Sequence, residues 1–94
     1  MWQDVVSVEA KENYRVLLRF EDGATGIVDV AELVEFSGVF EPLREQGYFE
    51  QVRIEPDLGT IVWPNGADLD PVVLYAHATG QPLPVFFPVV SGSA

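Results

Sequence analysis

The sequence predicts an α+β fold: an antiparallel three-stranded meander, short helices, a second β-hairpin, and a C-terminal helix followed by an extended apolar tail. Three observations predict it. Alternating apolar and polar runs flank Asp22-Gly23, the pattern of half-buried strands joined by a tight turn. Two acid-led starts, Asp29 with Glu32 and Asp70 with Pro71, mark where helices begin. Eight glycines and seven prolines favour many turns and short elements over a helical bundle.

The elements follow in order. VVSVEA (5–10) reads as the first strand, and Asn13 suits the left-handed backbone of the turn that ends it. YRVLLRF (14–20) is the second strand. It places Val16, Leu18 and Phe20 on one face and Arg15, Leu17 and Arg19 on the other. Asp22-Gly23 is expected to form a type I′ turn, with ATGIVDV (24–30) as the returning strand. Asp29 and Glu32 have the spacing of a capping box, so a short helix begins near Val30 and breaks at Ser37-Gly38. A second helical turn is expected in VFEPLREQGYF (39–49), with Pro42 at its first position and Gly47 beyond its end. EQVRIE (50–55) and TIVW (60–63) form the second hairpin around Pro56-Asp57-Leu58-Gly59. Val52 and Ile54 point inward.

Pro64-Asn65-Gly66 then ends the strand, since proline lacks an N–H and asparagine and glycine accept turn geometry. Asp70 is the expected N-cap of the last helix, with Pro71 at its first position and Gly80 at its end. Asp68 either caps in place of Asp70 or ties down the loop before it. One domain, 1–80, is expected, with an apolar arm at 81–94 whose prolines exclude a helix.

Ninety-four residues, 48% of them hydrophobic and 12% aromatic, suffice for one small domain with its own core. With no cysteine there is no disulfide framework, thiolate metal site or cysteine nucleophile. The opening MWQDVVSVEA lacks the pattern of a signal peptide, and no apolar run is long enough to span a bilayer, so the expectation is a cytoplasmic protein away from membranes. Five basic residues face fifteen acidic ones, for a formal charge of −10. Lys11, Arg15, Arg19, Arg44 and Arg53 are scattered along the chain, which argues against direct binding of nucleic acid. The acidity suits a basic protein partner or simple solubility. All the Asp, Glu, Lys and Arg side chains lie in residues 1–70, so an acidic body precedes a neutral, apolar end.

Several segments together resemble a known family. They are Asn13-Tyr14-Arg15, Phe20-Glu21-Asp22-Gly23, Val28-Asp29-Val30, Val39-Phe40-Glu41-Pro42-Leu43, Phe49 ahead of Val52, Leu74-Tyr75 and, most specific of all, Trp63-Pro64-Asn65-Gly66-Ala67-Asp68-Leu69. In this order the chain resembles, over roughly residues 5–75, the bacterial family known as domain of unknown function DUF2442. The resemblance implies a small α+β domain built on a meander sheet. It also implies stand-alone small proteins, some with an appended helix-turn-helix, and many encoded beside another small protein in arrangements like toxin–antitoxin modules. It supplies no catalytic residues. This chain has no room for a helix-turn-helix, and residues 81–94 extend past the family pattern.

No catalytic, cofactor or metal residues are expected. Asp22 fits a turn and Asp29 and Asp70 fit caps. Asp68 and Asp70 lack the spacing of a calcium loop, and His77 has no ligand partner one helical turn away. Trp63 is expected to anchor the core against the last helix, its indole N–H bonded to a backbone carbonyl. The leading expectation is a non-enzymatic interaction module, the antitoxin-like or regulatory half of a two-protein system. Its candidate interaction surface comprises Trp63, Pro64, Asn65, Gly66, Asp68 and Asp70, with Phe86 and Phe87 of the arm as a homodimer contact. The alternative is a small metal-binding protein or enzyme using Asp68 and Asp70.

Overall fold

The computed structural model describes residues 4–80. The arm at 81–94, with Phe86 and Phe87, lies outside the described residues. Strands β1 (Val5–Lys11), β2 (Arg15–Phe20) and β3 (Thr25–Asp29) form the antiparallel meander in the order β1-β2-β3. A one-turn helix α1 (Val30–Leu33), a 3₁₀ segment (Gly38–Arg44) and helix α2 (Gln46–Phe49) follow. β4 (Arg53–Glu55) and β5 (Thr60–Val62) make the second hairpin, and α3 (Pro71–Thr79) closes the domain.

The predicted faces of β2 hold. Val16, Leu18 and Phe20 are buried, and with Val28, Val30, Leu43, Phe49, Ile61, Trp63 and Leu74 they form one core. Fully burying side chains of this kind contributes roughly 1.5–3 kcal/mol each, so this single cluster dominates stability.

The turns differ from expectation in two places. Tyr14 is not the first residue of β2 but part of the turn, with φ of 61° beside 60° at Asn13. Positive φ costs energy in a bulky residue and persists only where surrounding contacts dictate it. Those contacts are present. The Tyr14 ring meets Phe36 and Phe49 edge-on at 4.9 and 5.4 Å, its hydroxyl donates to the Arg44 carbonyl, and its own carbonyl accepts from Val30 N at 2.9 Å. The Asp22-Gly23 turn is also not type I′, which needs positive φ at both central residues. Only Gly23 has it, and the loop spans three residues, with Gly23 N bonded to Phe20 O and Phe20 N to Ala24 O.

The middle of the chain also departs from expectation. Pro42 lies inside the 3₁₀ segment rather than at its start, and Gly47 lies inside α2. A 3₁₀ turn bonds each N–H three residues back, so proline deprives one carbonyl of that donor without breaking a longer ladder. Helix α3 conforms: Asp70 Oδ1 accepts from Val72 N at 2.8 Å, Pro71 opens the helix, and Gly80 ends it at φ of 75°. Its C-terminal turn lies against β3 at Gly26, where an added Cβ would collide with the Ala78 backbone. This close approach requires glycine in the strand.

Candidate functional site

The most specific motif forms a rigid bracket. Trp63 N donates to Ala67 O and Gly66 N to Trp63 O, each at 2.9 Å, while Gly66 takes φ of 91°. Val62 and Asp68 form a further antiparallel bridge, so the loop continues the β4–β5 hairpin. The same turn occurs at Phe20-Glu21-Asp22-Gly23-Ala24. In both, a buried aromatic leads, an Asx side chain accepts from the alanine N–H two residues on, and glycine takes positive φ. The shared pattern, aromatic-x-Asx-Gly-Ala, can be read in the sequence once the geometry is known.

Asn65 ties this bracket to the rest of the domain. Its Oδ1 accepts from Ala67 N at 3.1 Å, its backbone N–H donates to the Tyr48 hydroxyl at 2.9 Å, and its Nδ2 donates to Val39 O at 2.8 Å. Val39 O is the carbonyl that residue 42 would address in a 3₁₀ turn, and residue 42 is proline. Asn65 thus supplies a donor that Pro42 lacks. Two separate motifs, Phe40-Glu41-Pro42-Leu43 and Trp63-Pro64-Asn65-Gly66, meet in this one bond. Thr60, buried beneath, donates through Oγ1 to Leu69 O at 2.5 Å and fixes the segment beyond the loop.

Trp63 is 0% exposed, so its side chain offers nothing to a partner. Its indole Nε1 donates to Phe49 O at 2.9 Å, the expected kind of bond, and its ring neighbour is Phe49 of α2, with centroids 5.8 Å apart. What remains on the surface is Pro64, Asn65, Gly66, Asp68 and Asp70, alternating with buried Ala67 and Leu69. The Asp70 carboxylate is engaged as a cap. Asp68 is anchored through its backbone. The Asp68 carboxylate is exposed and, among the described residues, has no hydrogen-bond partner.

Among the described residues, no three His, Asp or Glu side chains converge as metal ligands. His77 is exposed in the last turn of α3. The depressions lined by described residues are shallow. One of about 360 Å³ between α1 and the 3₁₀ segment is lined by Val34, Phe36 and Arg44.

A distinct polar contact lies at the other end of the sheet. Tyr75 of α3 donates to Asp22 Oδ2 at 2.6 Å, and its ring meets Phe20 edge-on at 4.9 Å. The Tyr75 hydroxyl and then the Ala24 N–H hold the Asp22 carboxyl below its ordinary value. The same bond raises the Tyr75 phenol. Sequence reading assigned Asp22 to a turn and left Tyr75 without a role, because 53 residues separate them.

Comparison with known proteins gives one match. A family model described as "Protein of unknown function (DUF2442)" matches residues 5–80. No curated protein and no solved structure matches the chain. Among the described residues, no helix is long and apolar enough to cross a membrane.

Proposed function

The chain belongs to the DUF2442 family, whose function is unknown, and on that premise we propose that it is a non-enzymatic protein-interaction module. Its recognition element is the Pro64–Asp68 loop. One observation carries this reading: the loop is held from within by Trp63, Asn65 and Thr60, yet it presents the uncommitted carboxylate of Asp68 to solvent. A surface loop positioned by a rigid scaffold is where binding residues concentrate, because little ordering entropy is lost on contact. The acidic body, fifteen acids against five bases, suits a basic partner. The antitoxin-like or regulatory half of a two-protein system is the biological form of this reading, and a homodimer through 81–94 is its oligomeric form. For metal binding, Asp68 and Asp70 have no third ligand among the described residues.

The test is capture from native-host extract, followed by affinity measurement with the purified partner. Asp68→Arg should leave the melting temperature unchanged and weaken that affinity by about tenfold or more, the size of one lost charge pair with reversal. An unchanged affinity would remove the loop from the interface.

A further inference from the structure

Three of the five basic residues share one surface of the molecule. Register and burial place these three, Lys11, Arg15 and Arg19, on the outward face of the meander. Across that face the rows run Lys11–Arg15–Asp29, Glu9–Leu17–Ile27 and Ser7–Arg19–Thr25. Two carboxylates on the face have partners, and a third, Glu12, stands at its edge beside Lys11, Arg15 and Ile27. Glu9 pairs with Lys11 at 3.1 Å, and Asp29 accepts from Ala31 N at 3.0 Å as the cap of α1. Among the described residues neither Arg15 nor Arg19 makes an ion pair. Between them sits Leu17, outside the core cluster, beside Ile27, which is 55% exposed. An apolar centre rimmed by arginines is the composition of a protein interface, on a chain that is otherwise strongly acidic.

We propose that this outward face of the β1–β3 sheet docks an acidic amphipathic helix of a partner protein. Among the described residues this face is exposed, and a sheet face of an α+β domain is completed as a further layer by packing a helix on it. Arg15 and Arg19 are four strand residues apart, about 13 Å along the sheet. Carboxylates two turns apart on a helix, seven or eight positions, span about 11–12 Å. An apolar residue one turn after the first acid then falls on Leu17 and Ile27. Charge complementarity selects this occupant over two others. A second copy laid face to face would set guanidinium against guanidinium. A nucleic acid carries its charge continuously, about one per 1.7 Å in a duplex, and would run off the small basic patch onto the acidic flanks. The face is separate from the Pro64–Asp68 loop, so this inference stands or falls apart from the function proposed above.

The absence of native cysteine makes a direct test available. Ile27→Cys places one thiol at the centre of the face of the full chain, and its alkylation rate reports whether the face is open. The probe is a synthetic amphipathic helix with glutamates flanking a leucine stripe. Its binding to the wild-type chain is also followed by fluorescence anisotropy. The thiol should react freely in the chain alone and be shielded by the peptide. Arg15→Glu combined with Arg19→Glu should weaken peptide binding by about tenfold or more, while Asp68→Asn should leave it unchanged. A peptide with lysines in place of the glutamates should not bind. The proposal is overturned by a thiol already shielded at all concentrations, which would mean that the chain covers its own face. Shielding that grows with protein concentration would identify a second copy instead. Protection by a single-stranded oligonucleotide but not by the peptide would identify nucleic acid. Peptide binding indifferent to the double charge reversal, or no binding, also overturns it.

Discussion

Asp68 and Asp70 stand two positions apart and do different work. The Asp70 carboxylate closes the open N-terminus of α3, where the first N–H groups have no partner within the helix. Asp70→Ala should therefore cost about 0.5–2 kcal/mol in urea unfolding, and Asp68→Ala should stay within about 0.5 kcal/mol of wild type. The reverse order would make Asp68 the cap. Asn65 offers a sharper contrast, because its amide uses both ends. Asn65→Asp keeps the acceptor for Ala67 N but loses the donor to Val39 O and sets a carboxylate oxygen against a carbonyl. It should destabilise the domain by about 1–3 kcal/mol, the cost of leaving an acceptor facing the wrong group. A neutral result by the same measurement would show that the Pro42 turn does not need this donor. Asn65 was legible from sequence as a turn residue and candidate surface residue but not as the donor to Val39 O, since that partner lies 26 residues away.

At the scale of elements, α3 is held to the meander at two points. Its C-terminal turn packs on Gly26, and Tyr75 reaches the β2–β3 turn at Asp22. The Tyr75–Asp22 bond makes the tie dependent on pH in a definite direction. Asp22 is depressed in the fold, so its contribution is complete above its ordinary value of 3.8 and is lost as pH falls through the lower folded value. Tyr75 is raised, so its contribution is complete below 10.0 and is lost as pH rises through the higher folded value. The difference in melting temperature between wild type and Tyr75→Phe should be flat between these limits and narrow beyond each. A difference near zero at every pH would mean that ring packing on Phe20, which Phe keeps, carries the tie, and a difference that persists unchanged into acid would mean that the hydroxyl acts independently of the Asp22 charge.

For the whole molecule, the net charge of −10 conceals an uneven distribution. The outward sheet face holds three of the five cations with Glu9 and Asp29, while most of the acids lie elsewhere in the chain. Association of a basic partner with the acidic side should slow steeply as salt rises, because the screening length is only about 10 Å at 0.1 M. A salt-insensitive association rate, measured by stopped flow with the captured partner, would leave the acidity with no role in recognition. Either face can act only because the domain closes without it. Among the described residues the core cluster runs from Val5 to Leu74, and Leu17 and Ile27 of the outward sheet face lie outside it.

The sequence by itself determined the element order, the inward faces of β2, the caps at Asp29 and Asp70, and the family. These are local or periodic properties, set by alternation, by acid-led starts and by residues that alone tolerate a given backbone. Tertiary structure decided the rest. It bent Tyr14 into a left-handed turn because Phe36, Phe49 and Arg44 wait for its side chain. It matched Asn65 to the turn at Pro42, joined Tyr75 to Asp22 and required Gly26 beneath α3. Each of these joins residues distant in sequence, and a linear pattern carries no distance between elements until packing supplies it.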